Sequence, residues 1–319
     1  MANSSPLLSV SLRVDYPNKP QTLKAVSFQI YPGEVLGLVG ESGSGKSTVA
    51  LALLRLLAAK GGWAQGQILF RERDLMKASE REMRDIRGRE MGLILQSPSS
   101  SLNPALRIGT QLAEAWKSHA SGSRSEMEAA VERALSSVGL PLNSEFRSRY
   151  PSQISVGQAQ RVLIGMAVMH TPALLIADEP TSALDAITQW EIMRLFSTLN
   201  RKTGSAILYI SHDLLSVASI CHRIAILHDG EIVECRGTQS LLTQPLHPYT
   251  QRLLTCIPWL PGLSKPMPVE LHPFSDRAGL VVDGMARPEE PPQGRGLSAT
   301  ISGDCAPRNQ GVDHKRWLA

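Results

Sequence analysis

The sequence has few cysteines and no long apolar run. Its four cysteines, Cys221, Cys235, Cys256 and Cys305, show no C-x-x-C spacing, which excludes a recognisable zinc site or disulfide framework. Arg55 interrupts even the most leucine-rich stretch, so no segment reaches the roughly 18 apolar residues of a membrane-spanning helix. Because there is no charged and then apolar N-terminal signal, the sequence favours a protein of a reducing cytoplasm.

The sequence also has little excess of positive over negative charge. The formal net charge is only +4 over 319 residues, which is too weak and too dispersed to indicate nucleic-acid binding. Apolar residues are abundant by contrast: 42% of the chain is hydrophobic, enough for the core of one large domain or two ordinary ones.

A phosphate-binding motif stands near the start of the chain. Residues 40–47, Gly-Glu-Ser-Gly-Ser-Gly-Lys-Ser, match G-x-x-x-x-G-K-[ST] at every fixed position. An apolar run at 35–39 predicts a buried strand before the loop, and residues 47–60 predict a helix after it. The backbone N–H groups of such a loop wrap a polyphosphate, while Lys46 reaches the β- and γ-phosphates and the Ser47 hydroxyl binds Mg²⁺. The alternative, a glycine-rich turn before a helix, is disfavoured because the motif is complete and its context is right.

Three further buried strands lead to polar residues. The strand predicted at 91–95 is followed by Gln96, which can reach a metal ion or an attacking water. The strand at 173–177 ends in Asp178 and Glu179, a pair that suits one carboxylate for Mg²⁺ and a second for the attacking water. The strand at 205–210 leads to His212, which can hydrogen-bond a γ-phosphate or orient water. Taken singly, such a glutamine is more often solvated and a lone histidine is usually structural.

The remaining segments are a strand-rich start and a helical middle. Residues 7–30 predict antiparallel strands, and Tyr16, placed in the turn 15–18, can stack on an adenine ring or pack on the strand beside it. Residues 105–150 are helical by periodicity, and their clearest helix, at 125–138, is closed by a glycine.

A helix N-terminus is predicted at residues 154–158, Ile-Ser-Val-Gly-Gln. Ser155 and Gly157 there present a hydroxyl and open N–H groups to an anion. As a lone capping serine, Ser155 would carry no functional information.

In this order the motifs resemble those of the ATP-binding-cassette (ABC) ATPases. The matching pieces are the phosphate loop, Gln96, residues 154–158, Asp178 with Glu179, the segment 182–185 (Ser-Ala-Leu-Asp) and His212. The resemblance covers about residues 7–255. It implies an α/β fold, namely a P-loop NTPase cassette of ABC type with an antiparallel β subdomain, a RecA-like core and a helical subdomain.

The resemblance implies a role for each matching position. Glu179 looks like the general base and His212 like the γ-phosphate sensor, with Gln96 as the third catalytic residue. Ser47, Gln96 and Asp178 look like the Mg²⁺ ligands. The ATP-binding positions would be Tyr16, Gly40, Glu41, Ser42, Gly43, Ser44, Gly45, Lys46, Ser47, Thr48, Ser155, Gly157 and Gln158.

The family arrangement implies a head-to-tail pair of cassettes that closes over two ATP molecules. Ser155 and Gly157 would contact the γ-phosphate held by the partner's phosphate loop, and Asp185 would touch the facing subunit. Two positions depart from the usual Leu-Ser-Gly-Gly-Gln signature: Ile154 replaces its leucine conservatively, and Val156 replaces its first glycine. The β-branched valine lacks the conformational freedom of glycine and hinders a close approach of the backbone to nucleotide. We therefore expect a working but slower site.

A segment near residue 250 narrows the predicted function to one class of ABC ATPases. Residues 245–254, Pro-Leu-His-Pro-Tyr-Thr-Gln-Arg-Leu-Leu, resemble a segment of the oligopeptide, dipeptide and nickel importer ATPases, and Gln96 with residues 101–104 points the same way. The sequence thus predicts an ATP-binding and ATP-hydrolysing subunit that powers the uptake of peptides, nickel or a metal chelate. It predicts a peripheral protein at the cytoplasmic face of the inner membrane.

The predicted partners are separate permease chains, a second ABC ATPase subunit that is identical or paralogous, and indirectly an extracytoplasmic solute-binding protein, with no nucleic acid. The alternative is a non-transport ABC ATPase acting on DNA or ribosomes. Such proteins usually carry long coiled coils or tandem cassettes, and this sequence shows one cassette and no heptads. A kinase or GTPase would leave the segment at Ser155 without a role.

The composition changes near the end of the predicted cassette. We expect a nucleotide-binding domain at residues 1–255, with a helical insertion at about 97–168, and a C-terminal oligopeptide/dipeptide-type extension at 256–319. Nine of the 21 prolines lie from Pro258 onward, which predicts a partly disordered tail.

Overall fold

The computed structural model describes residues 5–256, so the predicted extension lies outside the described part of the chain from residue 257 onward. The strands are β1 (Leu8–Tyr16), β2 (Lys19–Ile30), β3 (Val35–Val39), β4 (Trp63–Phe70), β5 (Arg73–Asp74), β6 (Met91–Ile94), β7 (Leu174–Asp178), β8 (Ala206–Ser211), β9 (Arg223–His228) and β10 (Glu231–Gly237). The helices are α1 (Lys46–Leu53), α2 (Glu80–Ile86), α3 (Pro98–Ser101), α4 (Ile108–Lys117), α5 (Arg124–Ser137), α6 (Ser144–Ser148), α7 (Val156–Val168), α8 (Ala186–Thr203), α9 (Leu214–Ile220), α10 (Thr238–Thr243) and α11 (Pro248–Thr255).

The strands form one mixed sheet in the order β5-β4-β1-β2-β10-β9-β3-β8-β7-β6. Its first half is antiparallel, as predicted for residues 7–30, and β3, β8, β7 and β6 pair in parallel. The pairing of Glu231 with Ala25 joins the two halves. Because parallel strands point their carboxyl ends to one edge, the loops after β3, β6, β7 and β8 emerge together.

The parallel strands separate two apolar cores. Every residue of β3 is buried; Val35 and Val39 pack into one core, whereas Leu36 and Leu38 pack into the other. This alternation follows from the period of two along a strand, and it explains why the predicted buried strands read as continuous apolar runs.

Gly37 lets α9 lie directly on β3. A Cβ at this position would lie 2.1 Å from Val217 Cγ1, in the middle of α9, and 3.1 Å from Sγ of Cys221, the C-cap of that helix. A side chain here would therefore push α9 away from the strand that carries the phosphate loop.

Helices α3 to α7 lie between β6 and β7, where the sequence predicts a helical insertion. The helix predicted at 125–138 begins one residue earlier, at Arg124, because Ser123 is its N-cap. The Ser123 side chain accepts from the Glu126 N–H, and the Glu126 carboxylate accepts from the Ser123 N–H, which is a complete capping box.

The helix predicted at 47–60 is wrong in its second half. Helix α1 ends at Leu53, and a separate 3₁₀ turn covers Leu57–Lys60. Between them Arg55 has a φ of 53°, and its guanidinium donates to the backbone carbonyls of Leu75 and Ala78. These tertiary contacts override a helical pattern that is continuous in sequence.

Strands β9 and β10 are not among the predicted strands, although the apolar run at 224–227 and the turn at Asp229 and Gly230 indicate a hairpin there. Strand β9 pairs in parallel with β3 beside the phosphate loop. No helix within residues 5–256 is long and apolar enough to cross a membrane.

Candidate functional site

The phosphate loop connects the carboxyl end of β3 to the first turn of α1. The Lys46 Nζ donates to the carbonyl oxygen of Gly40 at 2.8 Å and to that of Glu41 at 2.9 Å. The lysine therefore lies across the loop and ties its first two residues to α1. The positive end of the α1 dipole and the lysine charge together favour an anionic ligand at this place.

Two glycines are needed to seat this loop. A Cβ on Gly40 would lie 2.2 Å from the carbonyl oxygen of Leu227 in β9. Gly45 is the N-cap of α1 with a φ of 107°, and a Cβ there would lie 2.5 Å from Leu23 Cδ2 in β2. The loop thus packs against β2 and β9 so closely that only glycine fits at both positions.

A cleft of about 390 Å³ opens beside the loop. It is lined by Tyr16, Lys19, Thr22, Ser42, Gly43, Gly45, Lys46, Ser47, Thr48, Gln96 and Glu179. All of these except Lys19 and Thr22 are predicted site residues. The fold therefore brings together the end of β1, the phosphate loop and the residues that follow β6 and β7.

Glu179 is the centre of a cluster of polar side chains. The Gln96 Nε2 donates to its Oε2 at 3.0 Å, and the His212 Nδ1 lies 3.3 Å from its Oε1. The Lys46 Nζ lies 3.8 Å from the same Oε1. Glu179 has a φ of 47°, a left-handed conformation that is uncommon outside glycine and is often found at functional sites.

His212 does not line the main cleft. It lies in a smaller neighbouring cavity of about 140 Å³, which also contains Ser182 and Leu184 and shares Glu179 with the cleft. Glu179 therefore lines both spaces, and the Lys46 Nζ and the His212 Nδ1 both approach its Oε1.

Asp178 offers a buried oxygen to a cation. It ends β7, is only 6% exposed, and its Oδ1 has no hydrogen-bond partner within residues 5–256. Burial raises the pKa of Asp178 and the charge of Glu179 adds to this, while a hydrogen bond with the Ser47 side chain and the charge of Lys46 lower it. An unpartnered carboxylate oxygen beside a hydroxyl is a hard oxygen set that fits Mg²⁺.

Lys46 is also placed to favour an anion. Burial lowers the pKa of Lys46, and the charges of Glu179 and Asp178 raise it in part. A phosphate group beside the ammonium would offset the cost of its burial. The two buried groups of opposite charge therefore fit a phosphate and a divalent cation, respectively.

Tyr16 is the last residue of β1, so its predicted place in the turn is wrong. The turn consists of Pro17 and Asn18, and Tyr16 pairs with Lys19 across it. A Cβ on Gly62 would lie 2.5 Å from the tyrosine ring, which shows that the ring packs on this neighbouring segment. The half-buried side chain thus packs on the protein and lines the cleft at the same time.

The predicted signature residues form the N-terminus of α7. Ser155 is its N-cap and, with Gln158, makes a capping box. Gly157 packs on α8, because a Cβ there would lie 2.7 Å from Thr188 Cγ2, and Asp185 is the N-cap of that helix. None of these residues lines the cleft of its own chain as the structure describes it.

Val156 does not require the conformational freedom of glycine. It is the first residue of α7 and is absent from the described residues with a positive φ. The expected backbone penalty of valine is therefore wrong for this conformation. Its side chain is 46% exposed, so only its size at the surface can affect a ligand or partner.

Sequence reasoning missed two contacts with the phosphate loop. The Lys19 Nζ donates to the carbonyl oxygen of Gly43 at 3.1 Å, which places a second cation in the cleft. The only feature of the sequence that could have indicated Lys19 as a site residue is its position three residues after Tyr16. The Tyr249 hydroxyl donates to Glu41 Oε1 at 3.0 Å, although residues 245–254 stood out in the sequence only as a family marker.

Known proteins of similar sequence are ATP-binding subunits of transporters. A family model described as ABC transporter matches residues 23–182. The oligopeptide transport ATP-binding protein OppD of Bacillus subtilis (strain 168) is 40% identical over 257 residues, which are 79% of this chain and 71% of OppD. The glutathione import ATP-binding protein GsiA of Shigella dysenteriae serotype 1 (strain Sd197) is 41% identical over 78% of this chain. That match spans 42% of GsiA, less than half of its length.

Solved structures with the same fold are also ATPase cassettes. CbiO1 from Clostridium perfringens, part of the ABC transporter complex cbiONQ, aligns with a TM-score of 0.66 at 24% identity over 75% of this chain and 91% of its own. The ATP-binding cassette MJ0796, a dimer in a post-hydrolysis state bound to ADP and Pi, aligns with a TM-score of 0.62 at 26% identity. The alignment covers 72% of this chain and 98% of the MJ0796 chain. The predicted fold class is confirmed by these structures.

Proposed function

This chain belongs to the ABC transporter family as an ATP-hydrolysing subunit, and we propose that it drives the import of a peptide or a peptide-like solute such as glutathione. The observation that carries the proposal is its 40% identity with OppD over 79% of its length. The cleft around Lys46 and Glu179 supports the ATPase part of the proposal independently.

In this proposal the cleft binds ATP. The Lys46 ammonium neutralises the β- and γ-phosphates, the loop N–H groups hold the phosphate oxygens, and Tyr16 stacks on the adenine. Lys19 adds a second positive charge at the rim of the same cleft. Ser47, Asp178 and Gln96 would hold Mg²⁺, which supplies charge neutralisation to the phosphates.

Glu179 is the proposed general base. Its carboxylate takes a proton from the water that attacks the γ-phosphate. The hydrogen bond from Gln96 and the nearby His212 ring restrain both carboxylate oxygens, so the base is held in one orientation. His212 is the proposed γ-phosphate sensor, because its Nδ1 lies 3.3 Å from the same Glu179 Oε1 that the Lys46 Nζ approaches at 3.8 Å.

A second cassette is needed to complete the site. Ser155, Gly157 and Gln158 do not line the cleft of their own chain, and they form an open helix N-terminus. We infer that they contact the γ-phosphate bound to a partner cassette, identical or paralogous, and that Asp185 touches that partner. We also propose that α3 to α7 form the helical insertion of the ATPase domain and that this domain ends at residue 255.

The other proposed partners are permease chains and, through them, an extracytoplasmic solute-binding protein. The chain would then be a peripheral subunit at the cytoplasmic face of the membrane. Nickel and metal chelates stay predictions, since OppD and GsiA are named for oligopeptides and glutathione. A role on DNA or ribosomes is not favoured, because both relatives are named as transport proteins.

Uptake by the reconstituted complex tests this function. The chain, its permeases and their binding protein would be placed in liposomes with internal ATP and given labelled trialanine, labelled glutathione or ⁶³Ni²⁺. We expect ATP-dependent uptake of a peptide or of glutathione, and loss of uptake with Glu179→Gln. Uptake of Ni²⁺ alone, or an ATPase that no peptide stimulates, would overturn the proposed solute class.

A further inference from the structure

Helix α11 reaches the phosphate loop through one side chain. The Tyr249 hydroxyl donates to Oε1 of Glu41, the second residue of the loop, at 3.0 Å. The tyrosine ring stacks on the His228 ring, with centroids 3.7 Å apart and planes 18° apart. We propose that Tyr249 is a positioning residue for ATP binding, which restrains the Glu41 carboxylate and keeps its charge from opposing the triphosphate.

The structure fixes Tyr249 from the other side as well. The buried Glu234 carboxylate on β10 accepts from the N–H groups of Leu246 and His247, both at 3.0 Å. The His247 Nδ1 accepts from the Tyr249 N–H at 3.2 Å and so caps α11. Tyr249 itself is only 5% exposed. Its hydroxyl is therefore held in place by the sheet rather than by a mobile surface helix.

Glu41 is the acidic residue of the loop, and its backbone is part of the loop's internal structure. Its carbonyl oxygen accepts from the Lys46 Nζ at 2.9 Å and from the Ser44 N–H at 3.2 Å. Glu41 and Tyr249 do not themselves line the cleft, but Glu41 precedes Ser42, which does, and its backbone is bonded to Lys46. A free carboxylate there would repel the phosphates, whereas a hydrogen bond to a charged oxygen is among the stronger ones in proteins.

The tyrosine can serve as a donor over a wide pH range. Burial, together with the hydrogen bond to Glu41 and the charge of Glu41, raises the pKa of Tyr249 to about 12. The hydroxyl therefore stays protonated at neutral pH and can donate to Glu41. The segment that resembles peptide importers in sequence thereby acquires a physical role at the ATP site.

The test is a double-mutant cycle on the full-length chain. Tyr249→Phe removes the hydroxyl and keeps the ring on His228. We expect the Kd for MgATP, measured by displacement of a fluorescent ATP analogue, to rise about three- to tenfold. The KM for ATP should rise by the same factor while kcat changes little. In a Glu41→Ala background, Tyr249→Phe should have no further effect, because the charge that it releases is gone.

Salt and a matched tyrosine provide the controls. The rise in Kd should shrink in about 0.5 M KCl, since the opposing charge is then screened. Tyr31→Phe removes a hydroxyl that donates to Gln29 Oε1 at 3.1 Å rather than to the phosphate loop, so it should leave the Kd unchanged.

The inference rests on the proposed ATP site, and the outcomes separate the two. If the wild-type chain binds no MgATP, or if Lys46→Ala binds it as tightly as the wild type, the ATP site itself is overturned. If the wild type binds ATP and Tyr249→Phe binds it equally well, only the role of Tyr249 is overturned. A rise in Kd that persists fully in the Glu41→Ala background would also overturn it, because Tyr249 would then act through packing.

Discussion

Glu179 receives its neighbours from three other parts of the chain. Gln96 follows β6, Lys46 begins α1, His212 follows β8, and Glu179 itself follows β7. The identity of each residue could be predicted, because each stands at a strand end or in a motif. Their contacts could not, since the parallel order β3-β8-β7-β6 that brings those ends together is a property of the sheet.

Glu179→Gln should keep ATP binding and reduce hydrolysis by at least about a hundredfold, the usual contribution of a general base. The amide cannot accept the water proton, yet it retains the contact with Gln96 and the size of the side chain. ATP binding and phosphate release would be measured on the same preparation. Glu145→Gln, which alters an exposed pair with Arg149, is the control and should leave both unchanged. Near-normal turnover of Glu179→Gln would contradict the assignment.

Asp178→Asn should raise the thermal midpoint of the chain without nucleotide or Mg²⁺ at neutral pH. The pKa of Asp178 is raised by burial above its ordinary 3.8, so the stability that this group contributes is present at acid pH and is lost as pH rises through the raised value. The gain from asparagine should therefore shrink as pH falls toward 3.8. The variant should also lose the extra stabilisation that Mg²⁺ gives to the ATP complex.

Asp229→Asn is the matched control for this experiment. The hydrogen bond from Lys24 lowers the pKa of Asp229, so neutralising this carboxylate should not raise the midpoint. A lower midpoint for Asp178→Asn at neutral pH would show that the Asp178 charge stabilises the fold, against the assignment of its buried oxygen to a cation.

Elements were predictable where a local signal decides them. The capping boxes of α2, α5 and α7 begin at Ser79, Ser123 and Ser155, and buried strands such as β3 read as apolar runs. The signals failed where a distant contact decides. The helix after the loop breaks because Arg55 donates to the backbone near α2. Strand β9, by contrast, has a local signal in the apolar run at 224–227, which the predicted strands do not include.

Val156→Gly at the start of α7 should raise the ATPase rate of the assembled transporter, or at least not lower it. It removes an exposed side chain from a surface that we assign to the facing nucleotide. Glycine within a helix costs up to about 1 kcal/mol, so the isolated chain should become slightly less stable. Strong inactivation by Val156→Gly would mean that the site is built around valine.

Ser155→Arg should abolish closure over ATP, because it adds bulk and removes a cap at the same helix end. Loss of an N-cap costs about 1 kcal/mol, so stability alone must be controlled. Ser123→Arg breaks the equivalent capping box of α5, away from the signature segment. It should lower stability by a similar amount and leave ATP-dependent dimer formation, measured by light scattering, intact. Equal loss of closure in both variants would contradict the role of Ser155.

At the scale of the whole molecule, the site is built from the two ends of the described chain. The hairpin of β1 and β2 supplies Tyr16 and Lys19, and α11 supplies Tyr249, while the catalytic strand ends lie between them. The motif order predicts the core of this arrangement. The return of α11 to the loop could not be predicted, because it depends on contacts with Glu234 and His228, which lie in β10 and β9, the two middle strands of the sheet.

The position of α11 sharpens the prediction for the C-terminal segment. The charges beyond Cys256 balance at seven basic against seven acidic, so residues 263–319 have no electrostatic bias toward phosphate or anionic lipid. A chain ending at Gly262 keeps α11 and should fold, bind ATP and hydrolyse it at a rate close to that of the full chain. A chain ending at Gln244 loses Tyr249 and the buried Leu254, and it should bind ATP more weakly and unfold at a lower temperature.

Both truncated chains would be compared with the full chain, as isolated proteins and in the reconstituted transporter. A docking role of residues 263–319 would be visible only in the reconstituted transporter. If the chain ending at Gly262 is insoluble or free of nucleotide, the removed segment packs on the ATPase domain and the proposed boundary at residue 255 must move.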